Sequence, residues 1–142
     1  MKDLMLAQKM LEEKGFSLVI VKEREVIFTS SSKGVLPLLK VLTQDKNALI
    51  GAALADKIMG KAAALLALYA QVDAVYARVL SSGAQEILKT KVKLKYQKLV
   101  PFIKNLKGDG NCPMEQLCAN FISPEETFHA LSIKFKEALS KE

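Results

Sequence analysis

The segment ALIGAALADKIMGKAAALLALYA, from Ala48 to Ala70, constrains the fold more than any other part of the chain. Ala48 to Ala55 contains only small and aliphatic residues, which is typical of a strand buried on both faces, although a buried helix segment has the same composition. From Ile58 to Tyr69 the only polar residue is Lys61, and a helix that is apolar on all sides belongs in a protein interior. The pattern therefore predicts a central β-α unit whose strand and helix are joined by a charged turn, Asp56 to Lys61.

That charged turn is the first candidate for a functional site. In α/β sheets ligands bind outside the carboxyl ends of the strands, where helix starts offer N–H groups and partial positive charge. Gly60 would let a ligand approach the backbone, and Lys57 and Lys61 would attract an anion. Asp56 has two interpretations: an acid/base or nucleophilic carboxylate, or the cap of the helix, a role that aspartate favours. In the second interpretation both lysines simply reach into solvent.

Composition limits the class of protein and of site. A chain of 142 residues, half of them hydrophobic, is expected to form a single domain over residues 1–142 without disulfide or metal staples. No signal peptide or membrane-spanning run is visible, so a cytoplasmic location is expected. Cys112, Cys118 and the single histidine, His129, cannot build a zinc site of the usual spacing, and no metal cofactor is expected. The net charge of +6 favours anionic partners.

The order of predicted elements indicates the architecture. Apolar residues at helical spacing predict a helix over residues 2–14, and two β-branched runs predict a hairpin over residues 17–29. A helix of about nine residues with Pro37 in its first turn follows. Beyond the central unit come a strand at 74–80, a helix at 84–89, a strand at 92–99 and a capped helix over 124–140 that is expected to pack on the sheet layer. This order predicts a three-layer α/β/α sandwich with a mixed five-stranded sheet.

A second strand-to-helix junction, Ser30 to Gly34, also carries polar residues. Ser31, Ser32 and Lys33 could hold an anion there together with the glycine. They could equally form an ordinary loop with a serine cap, which is the interpretation that the composition favours.

The chain is rich in lysine between Ile87 and Gly108, where there are seven lysines and no acidic residue. Lys91, Lys93 and Lys95 are predicted to share one face of the last strand. Lysines on an edge strand guard against aggregation, and this interpretation is favoured over nucleic-acid binding because the chain contains only two arginines.

A cysteine follows the loop Gly108 to Asn111 at the predicted start of another helix. The helix dipole there would favour the thiolate of Cys112, so a nucleophile is one interpretation and a small packed cap residue is the other. Glu115 would lie beside it, and Asn111 is a candidate ligand-binding residue. Cys118 and His129 are interpreted as structural residues.

Three stretches carry a family resemblance: GVLPLL at Gly34 to Leu39, ADKIMGKAAALL at Ala55 to Leu66, and GDGNCPMEQ at Gly108 to Gln116. In combination they resemble a family of small, uncharacterised bacterial proteins, the DUF1893 type, which is assigned to the cytidine-deaminase-like fold. The resemblance implies a deaminase-like pocket. Deaminases place zinc ligands at two helix starts, corresponding here to Ser31 to Gly34 and Asp56 to Lys61, and neither stretch contains cysteine or histidine. The zinc chemistry is therefore not implied.

Two functions follow as hypotheses, with a third behind them. The first is a metal-free enzyme acting on a nucleotide-like or other phosphorylated small molecule, with Asp56, Cys112 and Glu115 as candidate catalytic residues. The second is a ligand-binding or sensor domain that keeps the pocket without any reaction. Nucleic-acid binding through residues 89–107 is the third and is not the expected partner.

Overall fold

The structure of the protein, a computed structural model, describes residues 2–103 and 123–140. The elements in these ranges, in chain order, are α1 (Lys2–Lys14), β1 (Leu18–Lys22), β2 (Glu25–Ser30), α2 (Leu36–Gln44), β3 (Ala53–Met59), α3 (Lys61–Tyr69), β4 (Ala74–Ser81), α4 (Ser82–Leu88), β5 (Lys93–Val100), α5 (Pro124–Lys134) and α6 (Lys136–Leu139). In this part of the chain, no helix combines the length and the apolarity that crossing a bilayer demands.

The five strands form one mixed sheet in the order β2-β1-β3-β4-β5. The strand β1 is antiparallel to β2 and β3, while β3, β4 and β5 are mutually parallel. The predicted five-stranded mixed sheet with its hairpin first is confirmed. Because β2 runs in the same direction as β3, β4 and β5, these four strands end together. We refer to this end of the sheet as the carboxyl edge.

Helices cover both faces of the sheet. On one face α1 buries Leu4, Ala7 and Leu11 against β1, β3 and β4. The opposite face supports the larger core, to which α2, α3, α4 and α5 contribute their apolar residues. The apolar stripe of α1 contacts the sheet, and the apolar surface of α3 contacts the sheet and neighbouring helices. These contacts explain why both helices carry the apolar residues that the sequence shows.

The hairpin turns without the Asn-Gly or Asp-Gly pair that such turns prefer. Glu23 and Arg24 both adopt positive φ angles, 53° and 66°. The Arg24 N–H donates a 2.9 Å hydrogen bond to Asp3 Oδ1, which ties the turn to the first turn of α1. This contact helps to offset the strain of left-handed backbone at two residues with side chains.

The predicted boundaries of the central unit are wrong. The strand was expected at Ala48 to Ala55 and the helix from Ile58, whereas β3 covers Ala53–Met59 and α3 begins at Lys61. Residues 47–51 form turns, and Gly51 takes a φ of +81°. Pairing with β1 and β4 holds the polar end of β3 in the sheet, so tertiary contacts override the local composition.

The C-terminal segment forms two helices where one was expected over 124–140. The chain leaves helical geometry at Phe135, with φ −104° and ψ 22°. As predicted, Ser123 caps the start of α5, accepting a 3.2 Å hydrogen bond from the Glu126 N–H. The helix packs against α3 and α2, and Phe128 stacks on Tyr69 with ring centroids 4.2 Å apart.

Candidate functional site

Within residues 2–103 and 123–140, three strand-to-helix junctions lie at the carboxyl edge. The first joins β2 to α2 through residues 31–35, the second joins β3 to α3 at Gly60, and the third passes directly from β4 into α4. The parallel direction of β2, β3 and β4 brings these junctions to the same end of the sheet. The sequence analysis predicted site residues at the first two.

Ser17, just before β1, connects the first junction to the second. Its N–H donates a 2.7 Å hydrogen bond to the Ser30 carbonyl, and its hydroxyl donates a 3.1 Å hydrogen bond to the Ser31 carbonyl. Its own carbonyl accepts a 3.0 Å hydrogen bond from the Lys57 N–H. Ser31 and Lys57, which are distant in sequence, are therefore held beside the same residue.

The first junction is an exposed loop. Ser31, Ser32 and Lys33 are all exposed, and the Ser32 N–H donates a 3.1 Å hydrogen bond to Ser30 Oγ. The favoured loop interpretation agrees with this arrangement, but its serine cap is wrong. The residue preceding α2 is Val35, which makes no capping hydrogen bond through its side chain.

Asp56 is a strand residue and not the cap of α3, so the capping interpretation is wrong. It pairs with Leu18 of β1 and Ala77 of β4, which both belong to the larger core. Cross-strand partners point to the same face, so the Asp56 side chain points toward the layer of α2, α3 and α4. The residue is half-buried, and its Oδ1 accepts a 3.3 Å hydrogen bond from the Ile58 N–H.

Burial dominates the electrostatics of Asp56. Desolvation of the carboxyl group raises the pKa of Asp56 to about 7, although the backbone N–H groups of Ile58 and Lys57 act in the opposite direction. A carboxyl group with a pKa near neutrality can donate or accept a proton under physiological conditions. Strongly perturbed pKa values are also more common at functional sites than elsewhere.

The two lysines of the second junction differ in their surroundings. Lys57 is exposed, whereas Lys61 is half-buried as the first residue of α3. Gly60 precedes α3 in extended conformation, without a capping side chain. The charge predicted for this turn is therefore divided between an exposed group at the end of β3 and a half-buried one at the helix start.

The third junction was missed in the sequence analysis. Ser81 is buried, and its hydroxyl accepts a 3.1 Å hydrogen bond from the Ala84 N–H at the start of α4. A methyl group added at Gly83 would lie 3.9 Å from Lys61 Cβ, so the starts of α3 and α4 are neighbours. The signal was available, because Ser81-Ser82-Gly83 follows the strand predicted at 74–80 just as Ser30 to Gly34 follows the predicted hairpin.

Several predicted site residues cannot be placed at this edge. Asn111, Cys112 and Glu115 lie outside the described residues, as does Cys118. His129 is exposed on α5, in agreement with a structural or surface role.

Two open grooves of about 610 and 430 Å³ lie elsewhere, beside α6 and α1 respectively, and neither is lined by Lys57, Gly60 or Lys61. Among residues 2–103 and 123–140, no three His, Cys, Asp or Glu side chains are grouped so that they could hold a metal ion.

Comparison with known proteins assigns the family. Residues 6–135 match a domain of unknown function, DUF1893. A DUF1893 family protein from Thermotoga maritima, solved by crystallography, superposes on this chain with a TM-score of 0.85 at 31% sequence identity, covering 94% of this chain and 90% of its own. No curated protein matches the chain significantly. With the family model spanning most of the sequence and the solved relative sharing its fold, this chain belongs to the DUF1893 family.

Proposed function

We propose that the protein binds a nucleotide-like or other phosphorylated small molecule at the carboxyl edge of its sheet. The observation that carries this proposal is the convergence of three strand-to-helix junctions at one edge, two of them joined through Ser17. Lys57 and Lys61 supply positive charge there, and Asp56 points toward the helices that begin beside it. Ligands of α/β proteins commonly bind at such an edge.

The fold supports a distant relation to the cytidine deaminases as part of the same proposal. The chain has one helix, then a hairpin, then alternating helices and strands, which is the order on which that resemblance rests. The residues at the corresponding helix starts, however, do not fit zinc. Ser31 to Gly34 and Asp56 to Lys61 offer hydroxyl, amine and a single carboxylate, without the cysteine and histidine ligands of a deaminase. The proposed site therefore acts without zinc.

Charge is the main source of affinity in this proposal. A helix start contributes only about 0.3–1 kcal/mol toward an exposed anion, and up to about 2 kcal/mol in partly buried geometry. Full positive charges at Lys57 and Lys61 must provide much of the remainder. The proposed ligand is accordingly an anion that contacts both side chains.

The proposal has two forms, which differ in whether Asp56 and Cys112 take part in a reaction. In the catalytic form Asp56 transfers a proton and Cys112 acts as the nucleophile with Glu115 beside it, while Asn111 contacts the ligand. In the sensor form the ligand binds without reaction.

Native mass spectrometry of freshly purified protein, followed by thermal-shift titration with nucleoside monophosphates, tests the proposal. We expect a retained ligand or a rise in Tm that Lys57→Gln and Lys61→Gln both diminish. Lys91→Gln is the matched control, because this exposed lysine precedes β5 at the opposite end of the sheet. Equal responses in all three variants, or the absence of any response to phosphorylated ligands, would contradict the proposal.

A further inference from the structure

We propose a second binding surface, for the phosphate backbone of single-stranded nucleic acid, on the side of β4 and β5 that α1 leaves uncovered. We call it the lysine face, and it comprises Arg78, Lys93 and Lys95. It lies on the α1 side of the sheet and does not depend on the function proposed for the junctions. Lys93 and Lys95 lie toward the opposite end of the sheet from the carboxyl edge, whereas Arg78 is level with Lys57.

The register of β5 places two lysines on this face. Lys93 pairs with Ala74 and Lys95 pairs with Tyr76, and both partners belong to the core beneath α1. Lys93 and Lys95 therefore point to the α1 side of the sheet, where both remain exposed. Residues two apart on a strand lie about 6.6 Å from each other, which suits successive phosphates of an extended strand.

Protection of the sheet edge does not explain all of this charge. Lysines on β5 would guard an edge strand, since β5 ends the sheet. Arg78, however, lies on β4, which is paired on both sides. It is half-buried and acts electrostatically on both Glu12 and Tyr76, which places its charge on the α1 side as well. Arg78 therefore adds a cation on this side that edge protection does not explain, although part of its charge acts on Glu12.

A groove between α1 and β5 adjoins the lysine face. It encloses about 430 Å³ and is lined by Met5, Leu6, Gln8, Lys9, Glu12, Glu13 and Lys95. Met5 is 62% exposed and offers apolar surface against which an unstacked base can pack. The groove also carries carboxylates. Glu12 stays ionised, because the 2.7 Å hydrogen bond from the Tyr76 hydroxyl to its Oε1 lowers its pKa. Arg78 and Lys95 act electrostatically on this carboxylate.

The composition indicates contact that is independent of base sequence. The chain contains only two arginines, Arg24 and Arg78, whereas direct readout of base edges relies strongly on arginine. Lysines act on phosphates as point charges, and their binding releases the counterions that surround the nucleic acid. The lysine face would therefore bind single strands with a strong dependence on salt.

Fluorescence anisotropy with a labelled oligothymidylate, from about 25 to 200 mM salt, tests this inference. We expect the slope of log Kobs against log salt to lose about 1.4 in magnitude in Lys93→Gln/Lys95→Gln, since each phosphate contact to a single strand contributes about 0.7. Lys134→Gln/Lys136→Gln removes the same charge from exposed positions of α5 and α6 and should keep the wild-type slope. Thermal unfolding of both variants verifies that they remain folded.

Two results would overturn the inference. One is the absence of oligothymidylate binding at the lowest salt. The other is an equal loss of slope in both double variants, which would show a response to net charge without a defined surface.

Discussion

Tyr76 of β4 donates a 2.7 Å hydrogen bond from its hydroxyl to Glu12 Oε1 of α1, although 64 positions separate the two residues. The bond lowers the pKa of Glu12, for which it is the largest cause. Desolvation is the first cause that raises the pKa of Tyr76 to about 12, and the bond adds to it. This contact closes α1 over the sheet at the C-terminal part of the helix.

Tyr76→Phe should therefore destabilise the protein modestly. Loss of the bond is expected to lower the free energy of unfolding by about 0.5–1.5 kcal/mol, since Glu12 is exposed and regains water when its partner is removed. Chemical denaturation measures the change. Glu12→Gln, which keeps an acceptor for the hydroxyl, should lose less, and a larger loss in Glu12→Gln than in Tyr76→Phe would contradict this account.

Asp56 should make the stability fall as pH rises. Its folded pKa of about 7 exceeds its ordinary value of 3.8, so the native state holds a proton that the unfolded chain has released. The contribution of Asp56 to the free energy of unfolding is fully present below its pKa in the unfolded chain, 3.8. It is lost as the pH rises through its pKa in the folded protein, about 7. The slope is at most about 1.4 kcal/mol per pH unit across that window.

Asp56→Asn isolates the effect of that carboxyl group. Urea denaturation at several pH values between the two pKa values and above the higher one compares the variant with the wild type. We expect the free energy of unfolding of the variant, relative to that of the wild type, to increase as the pH rises to 8. A constant difference across this range would show that the carboxyl group is not desolvated.

Gly83→Ala should stabilise the protein. Gly83 lies in α4 without a positive φ, and the added methyl group meets Lys61 Cβ at an ordinary 3.9 Å. Reduced freedom of the unfolded chain should raise the free energy of unfolding by about 0.4–1 kcal/mol. Gly15→Ala is the control with the opposite sign, because Gly15 has a φ of +72°. Stabilisation by both substitutions in thermal denaturation would be inconsistent with these backbone geometries.

Cys112 is testable by its reactivity. In a Cys118→Ala background iodoacetamide reports Cys112 alone, since the chain contains two cysteines. The catalytic form of the proposal expects a labelling midpoint below the free-thiol pKa of about 8.5. A midpoint at or above that value would remove Cys112 from the candidate nucleophiles and leave the sensor form.

Local sequence patterns predicted most of the helices and strands, because in these elements the apolar residues of the pattern are also the ones that pack in the core. The stripe of Leu4, Ala7 and Leu11 predicted α1, and β-branched runs predicted the hairpin. The strands predicted at 74–80 and 92–99 correspond to β4 and β5. The position of β3 was mispredicted because its register is set by distant partners. Leu18 and Ala77 hold Asp56 in the sheet, whereas composition alone assigned that aspartate to a turn.

The candidate site was only partly accessible to sequence reasoning for the same reason. Lys57 and Lys61 stood out as charges in an apolar segment. Ser17 did not, because its relevance depends on hydrogen bonds with Ser31 and Lys57 that only the folded chain creates. The third junction, Ser81 to Gly83, was readable in the sequence and was overlooked. The topology of the sheet, and not any motif, brings these residues to one edge.

Titration of ¹⁵N-labelled protein with a nucleoside monophosphate, followed by amide NMR, tests the central proposal most directly. We expect saturable shift changes concentrated at residues 30–34, 57–62 and 81–84, where the three junctions meet. Changes confined to β5 and α1, or no saturable change at any junction, would contradict a ligand site at the carboxyl edge.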